Sequence, residues 1–213
     1  LVGSSASDQV GFGVTALANG NYVVQSPPWD NGATVDAGAA TLGSGSSGIS
    51  GVISPVNSLV GSSTSDFVGD RGVTALTNGN YVVRSSLWDN GAAVDAGAAT
   101  FGSGSSGISG VVSPANSLVG SQAFDQVGFG AAALTNGNYV VVSSFWDNGA
   151  VVNAGAATFG SGGSGISGVV SPTNSLVGSQ LNDQVDKVTA LANGNYVVES
   201  RLWDNGTTVD AGA

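Results

Sequence analysis

The chain of 213 residues carries 14 acidic against 4 basic side chains, a net charge of −10, and contains no Cys, His or Met. That excludes a disulfide framework, a thiolate metal site and a histidine-activated nucleophile. So acidic a surface repels phosphate backbones, and neither nucleic acid nor membrane insertion is expected. Charged residues make up only 8% of the chain and Gly fills 35 positions, yet the 41% apolar share is regularly placed. A solvated low-complexity tract lacks such a pattern.

Leu-Val-Gly-Ser recurs at Leu1, Leu59, Leu118 and Leu176. It divides the chain into tandem units 1–58, 59–117, 118–175 and 176–213, the last of them incomplete. An array of this kind buries apolar faces between neighbouring copies and is not a globule with one special site. The chain opens at Leu1 and holds no methionine, which reads as a processed product or a window on a longer chain.

Within each unit an Asp comes first, at Asp8, Asp66, Asp125 and Asp183. Its expected role is to accept backbone N–H groups in the turn that leads into the sheet. Gly11-Phe12-Gly13 becomes Gly69-Asp70-Arg71-Gly72 and then Asp186-Lys187, the variation of a solvent-facing turn. In the second copy Val73–Leu76, the turn Thr77-Asn78-Gly79-Asn80 and Tyr81–Ser85 read as a hairpin around Asn-Gly. Trp88-Asp89-Asn90-Gly91 makes a second turn, Ala93–Phe101 a third strand, Gly102–Gly107 a loop, and Ile108–Ser113 a fourth strand that Pro114 ends. No segment shows a helical period. The expected fold is all-β, with tandem four-stranded antiparallel blade-like repeats, β-propeller-like, either closed or as an open array.

Comparison among the copies predicts the faces. Positions 25, 84, 142 and 199 hold Gln, Arg, Val and Glu, and positions 27, 86, 144 and 201 vary as well, so this side of the second strand is assigned to water. Tyr22, Val24 and Ser26 with their counterparts form the buried side, at the period of two of a half-buried strand. The nearly side-chain-free Asp95–Thr100 lets another sheet come close, with Leu42, Phe101 and Phe159 filling the remaining space.

The order Asp-x-Val-Gly, Val-Thr-Ala-Leu, Asn-Gly-Asn-Tyr-Val-Val-x-Ser, Trp-Asp, Asp-Ala-Gly-Ala resembles the FG-GAP repeat of integrin-like β-propellers. It is also similar to tandem repeats of unknown function in long bacterial surface proteins of the adhesin and filamentous-haemagglutinin sort. The first resemblance implies a ring of more blades than this chain holds and calcium loops rich in Asp. Here the corresponding loop reads Ala18-Asn19-Gly20-Asn21 and Thr77-Asn78-Gly79-Asn80. Without a carboxylate such a site binds calcium weakly, and it is not carried over.

Trp29, Trp88, Trp146 and Trp203 are the candidate glycan contacts, since repeated Trp beside Asp and Asn is how many sugar-binding propellers stack a pyranose. The plainer reading makes each a packing anchor, with the following Asp closing a turn. The acids Asp30, Asp89, Asp147 and Asp204 stand six residues before Asp36, Asp95, Asn153 and Asp210. The Asp members are weak calcium candidates; turn capping is the simpler role. A catalytic set is not expected, Lys187 being the only lysine and in a variable turn, and no cofactor is required. Asn205-Gly206-Thr207 matches a glycosylation sequon, as chance allows. The last unit stops before a counterpart of Ala99–Ser117, so a longer chain or strand addition from another subunit is expected. The function read from these features is a structural repeat of an extracellular bacterial fibre or adhesin, homo-oligomeric or filamentous and secreted or surface-located; the alternative is a calcium-assisted, lectin-like glycan-binding module.

Overall fold

A computed structural model describes residues 1–213. The chain is all-β, an open row of small sheets with no helix and no closed barrel or propeller ring. The first sheet starts with the hairpin Gly13–Ala16 and Tyr22–Ser26, continues antiparallel into Ala39–Gly43, and then takes Leu59–Val60. Its outermost strand is Gly110–Val111, parallel to Leu59–Val60. The second sheet repeats this order with Val73–Ala75, Tyr81–Ser85, Ala98–Gly102, Leu118–Val119 and Gly168–Val169. The third holds Gly130–Ala133, Tyr139–Ser143, Ala156–Gly160 and Ser175–Val177, and the fourth Lys187–Ala190 with Tyr196–Glu199.

Two expectations about the strands are corrected. The third strand begins at Ala98 rather than Ala93, because Asn90 and Ala93 close a tight turn and Asp95 has a φ of 51°, incompatible with extended backbone. The segment expected as a fourth strand contributes only Gly110–Val111, and it joins the preceding sheet rather than its own. The fourth position is filled instead by the Leu-Val of the following Leu-Val-Gly-Ser. Each unit after the first is therefore threaded through two sheets.

Sheets stack face to face. Val23, Ala40 and Leu59 of the first sheet pack on Tyr81, Val83, Trp88 and Ala98 of the second. Val82, Ala99 and Leu118 on the second sheet's other face pack on Tyr139, Val141, Trp146 and Ala156. Val140 and Ala157 continue the row toward Val188 and Val198. Every inner sheet is thus covered on both sides, which corrects the solvent face assigned from sequence: Gln25 and Val142 are each 7% exposed, and Ser86 is fully buried. The variable face points into a junction between copies. First strands of successive sheets approach within 8 Å between Cα atoms, closer than the ~10 Å usual for stacked sheets, because Val-Thr-Ala and Gly-Ala-Ala-Ala carry small side chains. Phe101 lies on Tyr139 and Phe159 on Tyr196, both with ring centres 6.4 Å apart and nearly parallel planes, filling the space beside the alanine-rich strands as expected.

Candidate functional site

The Trp-Asp-Asn-Gly corner is built from the buried Asp outward. Asp66, fully buried, accepts through one oxygen from the Ser62 and Ser63 amides at 2.7 Å each, and through the other from the Asp89 amide at 2.9 Å. Asp125 does the same with Ser121, Gln122 and Asp147, Asp183 with Ser179, Gln180 and Asp204, and Asp8 with Ser4, Ser5 and Asp30. The turn role expected of these residues is what the geometry provides, and it reaches further: the carboxylate ties the Leu-Val-Gly-Ser turn to the Trp-Asp backbone. Burial pushes Asp66 and Asp125 up from 3.8 against the pull of their three N–H donors. Asp183 feels burial too, but there the amides of Asp204, Ser179 and Gln180 win and its carboxyl is held below 3.8.

The next acid continues the chain of contacts. Asp89 accepts the Asp95 amide at 2.8 Å, with the same bond from Asp36 to Asp30, Asn153 to Asp147 and Asp210 to Asp204 at 2.7–2.8 Å. Asn153 serves as well as Asp because it is the backbone N–H that is used. Burial and the neighbouring Asp89 charge push Asp95 up. The calcium candidates Asp30, Asp36, Asp89, Asp95, Asp147, Asp204 and Asp210 line these turns in pairs six residues apart, Asn153 standing in the third copy where the others have a second Asp. Each first acid spends an oxygen on backbone, and no three acids converge, whereas calcium takes six to eight oxygen ligands.

The Trp rings point inward. Trp29, Trp88 and Trp146 are 2–3% exposed and Trp203 is half-buried. Trp88 sits between the first and second sheets and Trp146 between the second and third. This corrects their candidacy as glycan contacts: the first three offer a pyranose no face to stack on. Their indole N–H groups are buried without a protein acceptor.

Beyond the corner, copies are stitched by backbone and amide bonds. The carbonyls of Val94, Asp95 and Ala96 accept the amides of Phe124, Gln126 and Val127 in the next copy, and Asn90 donates to the Gly120 carbonyl at 2.8 Å. At the hairpin turns, Asn19 and Asn21 both donate to the Gly104 carbonyl at 2.7 Å, and Asn78 and Asn80 to Gly162 at 2.7 Å. Asn80 also accepts the Gly104 amide at 2.9 Å, so the rungs are continuous. A Cβ on Gly104 would fall on the Gly79 carbonyl oxygen, which is why the Gly/Ser loop has no side chain there. Sequence marks Gly102–Gly107 only as a loop; the periodic Asn-Gly-Asn is the signal that points to the rungs. Between the second and third copies, Arg71 lies 4.3 Å over the Phe129 ring, which meets Phe145 edge-on.

These features define a tandem all-β array whose conserved-looking corners are joints between copies. The chain belongs to the family of DUF5650, a repeat of unknown function, matched over residues 16–70, 75–129, 133–187 and 190–213. Each matched stretch opens on the alanine that ends a first strand. No curated protein matches the chain.

Proposed function

We propose that the chain is a structural repeat protein of an extracellular bacterial fibre or adhesin, secreted or held at the cell surface, whose copies assemble by repeat stacking or strand complementation. The observation that carries this reading is the sameness of the junctions. At the first two joints one sheet face of Val, Ala and Leu meets a face of Tyr, Val, Trp and Ala, beside a rung of asparagine amides, and the third continues the row with Val140 and Ala157 against Val188 and Val198. A unit whose opposite faces complement each other forms heterologous, head-to-tail contacts, and these continue as open filaments when the rotation does not close. The resemblance to FG-GAP and bacterial adhesin repeats agrees with it, and four basic residues leave trypsin-like proteases few sites. Electron microscopy and sedimentation across a concentration series test the proposal. Concentration-dependent filaments whose axial repeat matches the sheet spacing are expected; discrete particles at every concentration refute it.

A further inference from the structure

The outer edges of the first and second sheets, and the Val2–Val52 bridge before them, carry a device that the proposed assembly does not require. Gly110–Val111 and its counterparts are outermost strands, and such an edge offers its outward N–H and C=O groups to any extended chain. Inward, the amides of Gly110 and Val112 donate to Ser58 and Val60. Outward point the Val111 amide and carbonyl and the Ser113 amide, and the last two form the donor–acceptor pair that a parallel strand's residue engages. Both are taken by one side chain: Asn116 donates from Nδ2 to Val111 at 2.9 Å and accepts at Oδ1 from Ser113 at 2.9 Å. Asn57 holds Val52 and Ser54, and Asn174 holds Val169 and Ser171, in each case at 2.9 Å.

A residue of a neighbouring parallel strand makes this same pair of bonds, donating to one residue and accepting from the residue two further on. We infer that Asn57, Asn116 and Asn174 are built-in strand mimics that close the outer sheet edges against pairing with a second copy of this chain. The local sequence holds each amide in place. Ser-Pro-x-Asn forms a tight turn in which Asn116 and Ser117 donate their backbone amides to the Ser113 carbonyl. Ser117 donates its hydroxyl to Asn116 Oδ1 at 2.8 Å. Because that oxygen only accepts, Ser117 must in turn accept from Thr100, 2.6 Å away in the buried third strand. The relay recurs as Thr41–Ser58–Asn57 and Thr158–Ser175–Asn174, so each cap is anchored in the third strand of the sheet that follows: Asn116 covers the edge of the first sheet and is held by Thr100 of the second. Val52, Val111 and Val169, 41–51% exposed, stand beside the capped groups and would add apolar contact to an incoming strand.

The inference is independent of whether copies also stack along the row, and it confines any strand complementation to the uncapped edges, such as Ser175–Val177 of the third sheet. It is tested with Asn116→Leu in the full chain, alone and combined with Val111→Lys, a charge at the edge that discourages strand addition. At equal concentration Asn116→Leu is expected at least to double the mean hydrodynamic mass and to raise thioflavin fluorescence, with near-ultraviolet circular dichroism retained; adding Val111→Lys returns the mass to that of the unmodified chain. Three results overturn it: a folded Asn116→Leu protein of unchanged mass, association that Val111→Lys leaves intact, and association that follows loss of the near-ultraviolet signal.

Discussion

Asp66→Asn isolates the joint that the Trp-Asp-Asn-Gly corner depends on. The carboxylate is fully buried and satisfies three backbone amides, two through one oxygen and one through the other. An asparagine has a single acceptor oxygen. If it faces Ser62 and Ser63, its NH2 group meets the Asp89 amide, leaving a buried donor unpaired at roughly 1–3 kcal/mol. Against that, burial already pushes the Asp66 carboxyl up, so removing its charge relieves part of the desolvation. The net loss is about 2 kcal/mol, or a melting-temperature drop of roughly 4–8 °C for a chain of this size. Thermal unfolding gives the total. Hydrogen exchange gives the location: protection falls at Asp89, the amide left without an acceptor, and holds at Ser121, Gln122 and Asp147. A variant melting within about 1 °C of the parent, with the Asp89 amide still protected, would refute the clasp.

Acidification separates the copies. Asp66 and Asp125 have folded values above 3.8, so the stability they contribute is present below 3.8 and lost as pH rises through the folded value; Asp183 lies below 3.8, so its contribution is present above 3.8 and lost as pH falls through its folded value. Corrected for the intrinsic slowing of amide exchange in acid, protection is therefore expected to fall at Ser179 and Gln180 as pH drops below 3.8 and to hold at Ser62 and Ser121. Gly104→Ala drives a methyl against the Gly79 carbonyl and spreads the Asn19 and Asn21 rung, an overpacking expected to destabilise by about 1–3 kcal/mol in urea titration, whereas Gly11→Ala meets open space and strains only its own turn. Trp88→Ala costs about 3–5 kcal/mol, while Trp88→Phe, which keeps most of the packing and removes a partnerless N–H, stays within about 1.5 kcal/mol. Equal losses for the two would mean the indole N–H has an essential acceptor.

The strands that sequence locates best are those whose signal is local. Asn78-Gly79 marks the hairpin, and the β-rich Tyr81–Ser85 matches its observed bounds. The Asp66 turn role and the inward Trp88 also follow from local chemistry. Faces were misread at Gln25 and Arg84 because a polar or variable residue signals water only when one side of a sheet is solvated. Here the next copy covers that side, and Arg84 reaches the Phe129 carbonyl at 3.2 Å. The partner of Gly110–Val111 lies some fifty residues back in Leu59–Val60, and no property of a two-residue strand names so distant a neighbour. Asn116 was passed over for Pro114, since an amide's role depends on which carbonyl the fold brings to it.

That long return path makes a sharp demand on the array. Residues 59–117 enter the first sheet at Leu59–Val60, build the second, and come back at Gly110–Val111, so no unit can melt without unpairing its neighbour's edge, and nearest-neighbour coupling should dominate stability. Deleting 59–117 nevertheless leaves every remaining partner an equivalent. Leu118–Val119 replaces Leu59–Val60 against Ala39–Ala40, Gly168–Val169 follows it as the outer strand, and Val23 meets Tyr139, Val141 and Trp146 in place of Tyr81, Val83 and Trp88. Asn19 and Asn21 find the Gly162 carbonyl that Asn78 and Asn80 now hold. The shortened chain is expected to fold with unchanged circular dichroism per residue and one cooperative transition at lower temperature. Deleting 73–102, which excises the second sheet's own strands but keeps both returning segments, strands Leu59–Val60 and Gly110–Val111 on a face with nothing stacked against it and is expected to lose the transition. If both deletions melt alike, the threading between sheets is not what couples the copies.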